Sequence, residues 1–162
     1  MPSQHIVVIE DDTDLRETMK DLLEIKGFSV ATASNGREGL DLIERTGKPC
    51  LILLDLMMPE MNGWEFLEAL QRDQPALLAQ TAVAVISAAA DVSDVSQYGC
   101  SQFKKPVSVD RLYQLAQTHC KGCVPGKSSG RRSRNARDAA AVQQGPRRRL
   151  APQQPLQTAV KP

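Results

Sequence analysis

The chain has 162 residues, 41% of them hydrophobic and 24% charged, which is enough for one domain of ordinary size with its own core. Its net charge of +1 conceals two halves: up to Cys120, 18 acids face 10 Lys and Arg (−8), and from Lys121 onward 10 Lys and Arg face Asp138 alone (+9). No apolar stretch approaches the ~20 residues of a membrane span. The opening Met1-Pro-Ser-Gln-His5 lacks a signal-peptide pattern, so no membrane contact and a cytoplasmic location are expected.

In chain order, residues 5–10 (His-Ile-Val-Val-Ile-Glu) predict a buried strand ending in acids. Leu15, Met19, Leu22 and Leu23 share one face of a helix. Asp14 with Glu17 resembles its capping box, and Gly27 suits its exit. Residues 28–32 predict a second strand, and Asn35-x-x-Glu38 opens a helix to about Arg45. Residues 50–55 form a third, fully apolar strand that ends in a single carboxylate, Asp55; Pro59 and Asn62-Gly63 then mark a turn. Asn62-x-x-Glu65 caps a helix carrying Phe66, Leu67 and Leu70. Residues 82–87 predict a fourth strand, 91–97 a short helix, 102–104 a brief fifth strand, and Ser108 caps a last helix to about Cys120. Strands alternating with helices argue for a parallel sheet covered on both faces.

Composition changes at Lys121. The tail, 121–162, is rich in Gly, Ser, Pro, Gln and Arg and has no aromatic residue. It buries too little to offset its ordering entropy and is expected to be disordered. Its Arg runs at 131–134 and 147–149 offer contact to nucleic acid, but without aromatics to stack on bases a solvated tail is the simpler expectation. The cysteines Cys50, Cys100, Cys120 and Cys123 do not form the dense pattern of a disulfide scaffold. Cys120-x-x-Cys123 has only His119 nearby as a further zinc ligand and stands late in a helix, away from the dipole end that activates thiols; it reads as incidental.

The chemistry concentrates at strand ends. Glu10 and Asp11 end the first strand, Asp55 the third and Ser87 the fourth; Lys105 follows the fifth and precedes Pro106. In a parallel sheet these ends converge on one rim, where α/β folds bind ligands. Three carboxylates without His or Cys make a hard oxygen site suited to Mg²⁺. A cation and a lysine ammonium there offset carboxylate repulsion and stabilise an incoming phosphoryl group. A carboxylate can itself attack phosphorus to give an aspartyl phosphate, whose oxygens a hydroxyl and an ammonium would hold.

Ile6-Val-Val-Ile-Glu10-Asp11-Asp12, Leu53-Leu54-Asp55-Leu-Met-Met-Pro59-Glu-Met-Asn-Gly63, Val85-Ile-Ser87-Ala88 and Lys105-Pro106 together resemble a CheY-like receiver domain of a two-component response regulator. The resemblance covers about residues 4–120 and leaves 121–162 as a tail without counterpart. It implies a flavodoxin-like (βα)5 fold: a doubly wound five-stranded parallel sheet of order 2-1-3-4-5. It implies Asp55 as phosphoryl acceptor and Mg²⁺ held by Glu10, Asp11, Asp55 and the Met57 backbone carbonyl. Asp12 belongs to the start of the first helix, Ser87 and Lys105 contact the phosphoryl group, and the Lys105-Pro106 bond is cis. Two departures stand out. The stretch from Ser87 to Lys105 is about one helical turn short, so the helix between the fourth and fifth strands is reduced. Three residues before the lysine, where the family carries a switch aromatic, stands Gln102; either Phe103 takes the role or the aromatic is missing.

The resulting expectation is a signalling switch, not an enzyme. A sensor histidine kinase or phosphotransfer protein would phosphorylate Asp55, and output would pass to a downstream protein the sequence does not identify. One alternative is a nucleic-acid adapter acting through the tail. Another is an aspartyl phosphatase, against which Met57 stands where such enzymes carry a second Asp. Trp64, Met57, Met58, Met61 and Tyr98 read as packing residues. Met57 and Ala89, two residues after Asp55 and Ser87, cannot orient an attacking water, so slow self-dephosphorylation is expected.

Overall fold

The computed structural model describes residues 4–88 and 95–121. Five strands, β1 (His5–Ile9), β2 (Ser29–Ala33), β3 (Leu51–Leu54), β4 (Ala82–Ser87) and β5 (Ser101–Lys104), pair in parallel in the order β2-β1-β3-β4-β5. The helices are α1 (Thr13–Ile25), α2 (Gly36–Thr46), α3 (Gly63–Asp73), α4 (Pro75–Gln80) and α5 (Val109–His119), with a 3-10 turn at Ser96–Tyr98. This is the flavodoxin-like sheet order that the resemblance implied.

The near-continuous apolar strands are apolar because both of their faces are covered, and the two-residue period of a strand divides them between two cores. Val7, Ile9, Ile52, Leu54, Val83 and Val85 pack with Ile43 of α2 and with Phe66, Leu67 and Leu70 of α3. Ile6, Val8, Leu51, Leu53, Ala84 and Ile86 pack with Met19 and Leu23 of α1 and with Leu112, Leu115 and Ala116 of α5. Each fully buried aliphatic side chain of this kind stabilises the fold by about 1.5–3 kcal/mol before its ordering entropy.

Helix starts follow local chemistry. Asn62 and Glu65 form a reciprocal capping box on α3, Asn35 caps α2, and Ser108 caps α5. On α1 the cap is Asp12, whose carboxylate accepts the Leu15 N–H at 3.0 Å, and not the Asp14–Glu17 pair; the helix begins two residues earlier than that pair would set it. Helix α4 was not expected: its Pro75 sits at the permissive first turn, and six residues are too few for a periodic signal. Of the helix expected at 91–97, residues 91–94 lie outside the described residues, and only the 3-10 turn at Ser96–Tyr98 follows; the tail after Lys121, with Cys123, lies outside them as well. Trp64, Met61 and Tyr98 pack against the α2–α3 core and Met58 lies within it, as packing residues should; Met57 is the exception, 62% exposed.

The cysteines need a correction. Cys120, expected as an incidental member of a Cys120-x-x-Cys123 pair, is instead joined in a disulfide to Cys50, 70 residues away. Cys50 immediately precedes β3 and Cys120 is the C-cap of α5, and the fold brings these two points to the same end of the sheet. Spacing alone carries no sign of that meeting.

Candidate functional site

The rim is built by register. Ile9 pairs with Leu54, the Asp55 N–H donates to the Ile9 carbonyl at 2.9 Å, and the Glu10 N–H donates to the Ala33 carbonyl at 3.1 Å. Ser87 pairs with Lys104, and the Lys105 N–H donates to the Ser87 carbonyl at 3.0 Å. Each functional residue therefore ends its strand or follows it directly, and all lie on the carboxyl edge. The Lys105–Pro106 bond is cis, as the resemblance implied. Gly63, the first residue of α3, lets that helix start against the acceptor strand: a Cβ there would stand 2.5 Å from the Asp55 carbonyl oxygen and 2.8 Å from the Leu56 Cα.

Three of the expected side chains meet directly. The Lys105 ammonium lies 2.8 Å from Glu10 Oε2 and 3.0 Å from Glu10 Oε1, and 3.1 Å from Asp55 Oδ2. The Glu10 and Asp55 side chains are 1% and 5% exposed, and that of Lys105 is 21% exposed. Burial raises the Glu10 carboxyl pKa above its ordinary 4.5; Lys105 opposes this and the Asp55 charge adds to it. Burial works against the Lys105 ammonium, but the bonds and charges of Glu10 and Asp55 outweigh it, and its pKa is raised above 10.5.

One ammonium thus serves two buried carboxylates, and a third, exposed Asp11, stands beside them: carboxylate oxygens of Glu10, Asp11 and Asp55 all lie within 4.8 Å of one another. Glu10 Oε2 is buried and, despite the nearby ammonium, receives no directed hydrogen bond. A converging set of hard carboxylate oxygens, carrying more negative charge than one ammonium offsets, fits a divalent cation of the Mg²⁺ type.

The surrounding backbone holds these groups in place. The Asp12 N–H donates to Glu10 Oε1 at 3.4 Å, and the Met57 N–H donates to Asp55 Oδ1 at 3.3 Å. Sequence reading missed Arg16. Its guanidinium donates to the Glu10 carbonyl at 2.7 Å and the Asp11 carbonyl at 3.4 Å, which ties the acidic loop to α1. The only signal was an arginine one turn into a helix that follows paired acids. Ser87 is buried at the rim. Phe103 packs on the α1–α5 core, with the Arg111 guanidinium 4.8 Å above its ring. Successive strand residues face opposite ways, so Phe103 lies on the face opposite to that of Gln102. Ala89 lies outside the described residues, and among those residues no helix is long and apolar enough to cross a membrane.

The family model of the response regulator receiver domain matches residues 6–117. The polar-differentiation response regulator DivK of Brucella anthropi is 30% identical over 116 residues, covering 70% of this chain and 94% of that protein. A CpxR homolog of Haemophilus influenzae, a transcriptional regulatory protein, is 42% identical over 67 residues, 41% of this chain. The chain spans only 24–29% of the length of such transcriptional regulators. Among solved structures, a CheY-like response regulator receiver domain protein from Methanospirillum hungatei JF-1 superposes with a TM-score of 0.63 at 26% identity, covering 71% of this chain and 91% of that one.

Proposed function

Because the chain belongs to the response regulator receiver domain family, we propose that it is a phosphoryl-accepting switch whose acceptor is Asp55 and whose metal is Mg²⁺. The observation that carries this reading is the shared Lys105 ammonium, 3.1 Å from the Asp55 carboxylate within the Glu10–Asp11–Asp55 cluster.

In this reading an Asp55 oxygen attacks the phosphorus of a phosphohistidine on a sensor kinase or phosphotransfer protein; the P–O bond forms as the P–N bond breaks and the imidazole departs. Glu10, Asp11, Asp55 and the Met57 backbone carbonyl would hold the metal, which neutralises charge on the transferring oxygens. Lys105 supplies the second cation and the Ser87 hydroxyl donates to a phosphoryl oxygen. Arg16 keeps the acidic loop in position. Residues 4–120 act as the receiver domain and 121–162 as a separate basic tail, with output through binding of another protein in the cytoplasm. Receiver domains are switches and not turnover enzymes, and no observation favours the phosphatase or nucleic-acid readings.

The test is incubation with acetyl phosphate and Mg²⁺ followed by intact mass. One added phosphoryl group is expected, absent in Asp55→Asn and in EDTA. Label that persists in Asp55→Asn would move the acceptor elsewhere.

A further inference from the structure

The Cys50–Cys120 disulfide lies outside everything the rim requires. Asp55 follows β3, whereas Cys50 precedes it, so the bond is at the opposite end of the sheet. It closes a 70-residue span and joins the last capping position of α5 to the start of the central strand. Cys50 is anchored in turn, its N–H donating to the His5 carbonyl at 2.9 Å. Cys120 is 2% exposed within the α1–α5 core, while Cys50 is only half-buried against that core. Of the two residues Cys50 is the more exposed, with its Sγ 3.2 Å from the His5 carbonyl oxygen, and Cys120 the more sheltered.

A single bond of this kind among the described residues is unlike the dense pairing of small secreted domains. In a reducing compartment such bonds are transient and redox-sensing. Cys100 does not compete for the role: burial pushes its thiol up to about 11, away from the thiolate that exchange requires.

We propose that Cys50–Cys120 is a thiol-exchange site, a second input through which small dithiol reductants set how firmly the end of α5 is docked on the sheet. A reductant thiolate attacks the Cys50 sulfur, forming a mixed disulfide; the Sγ–Sγ bond breaks and Cys120 leaves as a thiolate that takes a proton from water. The reductant's second thiolate then closes its own disulfide and expels Cys50, which is protonated likewise. Two electrons pass from the dithiol to the pair. Opening removes the constraint on the unfolded chain and frees the last turn of α5, while the Asp55 rim keeps all its contacts.

The experiment uses the full chain, oxidised in air and then treated or not with excess dithiothreitol. Alkylation under denaturing conditions should count two thiols before reduction and four after, and peptide mapping should find Cys50 linked to Cys120. Reduction should lower the Tm by roughly 10 °C and raise amide exchange in residues 113–120, with acetyl phosphate labelling changed less than twofold. Cys50→Ser, at the half-exposed partner, should match the reduced protein and no longer respond to dithiothreitol; Cys100→Ser should still respond. Four thiols before reduction, a Cys120–Cys123 link, a Tm indifferent to dithiothreitol, or a pair that stays closed in excess dithiothreitol would each overturn the proposal.

Discussion

Replacing Asp55 with Asn should stabilise the metal-free domain, even though it deletes half of an ion pair. The Asp55 charge is attracted to the Lys105 ammonium at 3.1 Å by about 5 kcal/mol at an effective dielectric near 20. Repulsion from Glu10, with oxygens within 4.8 Å, returns about 3.5 kcal/mol, and exposed, better-screened Asp11 returns roughly half of that. Attraction and repulsion nearly cancel. What remains is the desolvation of a carboxylate only 5% exposed, several kcal/mol in such settings, which an amide of the same shape largely avoids. The expected gain is about 2 kcal/mol in EDTA, or a Tm increase of roughly 5–10 °C. Mg²⁺ at ten times its Kd should add about 1.4 kcal/mol to the wild type by mass action and less to the variant, which narrows the gap. Urea unfolding of both proteins, with EDTA and with Mg²⁺, measures both quantities. A variant less stable than wild type in EDTA, or a gap that Mg²⁺ leaves unchanged, would refute the picture of an under-neutralised cluster.

Three further outcomes follow from the same geometry. Glu10 has a folded pKa raised above 4.5, so its protonation favours the fold: that contribution is complete below 4.5 and is lost as pH rises through the folded value. Glu10→Gln, permanently neutral, should therefore exceed the wild-type Tm at neutral pH without metal, and the difference should close as pH falls toward 4.5; a pH-independent difference would contradict this. Gly63→Ala should destabilise by about 2–3 kcal/mol, because the backbone atoms facing its Cβ cannot yield; a loss under 0.5 kcal/mol in urea would mean that α3 shifts freely. Met57→Asn should speed phosphate release from pre-labelled protein by ~10-fold, about 1.4 kcal/mol in the barrier, since a polar side chain at this exposed position beside Asp55 can orient water. Equal decay of the two proteins counts against that role for Met57.

The sheet and its rim were legible because both rest on local signals. Apolar runs such as Leu51–Leu54 end in turn residues, and parallel strands send their last residues to one edge whatever their order, so Glu10, Asp55, Ser87 and Lys105 stand out in the sequence itself. What escaped depended on contacts distant in sequence or on elements too short to be periodic. The Cys50–Cys120 bond needs the end of the fifth helix to meet the start of the third strand. Helix α4 has only six residues. Arg16 acts on backbone carbonyls, which carry no residue signature. Met57 looked like packing material from its side chain, but its loop position leaves it in solvent.

The reach of Lys105 has a mechanical side. In the order β1-β3-β4-β5 the lysine follows the outer strand and its Glu10 partner the third one inward, a lateral offset of roughly 14 Å at about 4.8 Å per strand. No lysine side chain spans that alone, so Lys105 and Glu10 reach toward each other across the ends of the strands between them. The ammonium is then a guy line from the margin of the sheet to its centre. Any anion that draws it off Glu10 slackens the line, and a change of charge on one oxygen becomes a change of tilt at an edge whose far side has no neighbouring strand among the described residues.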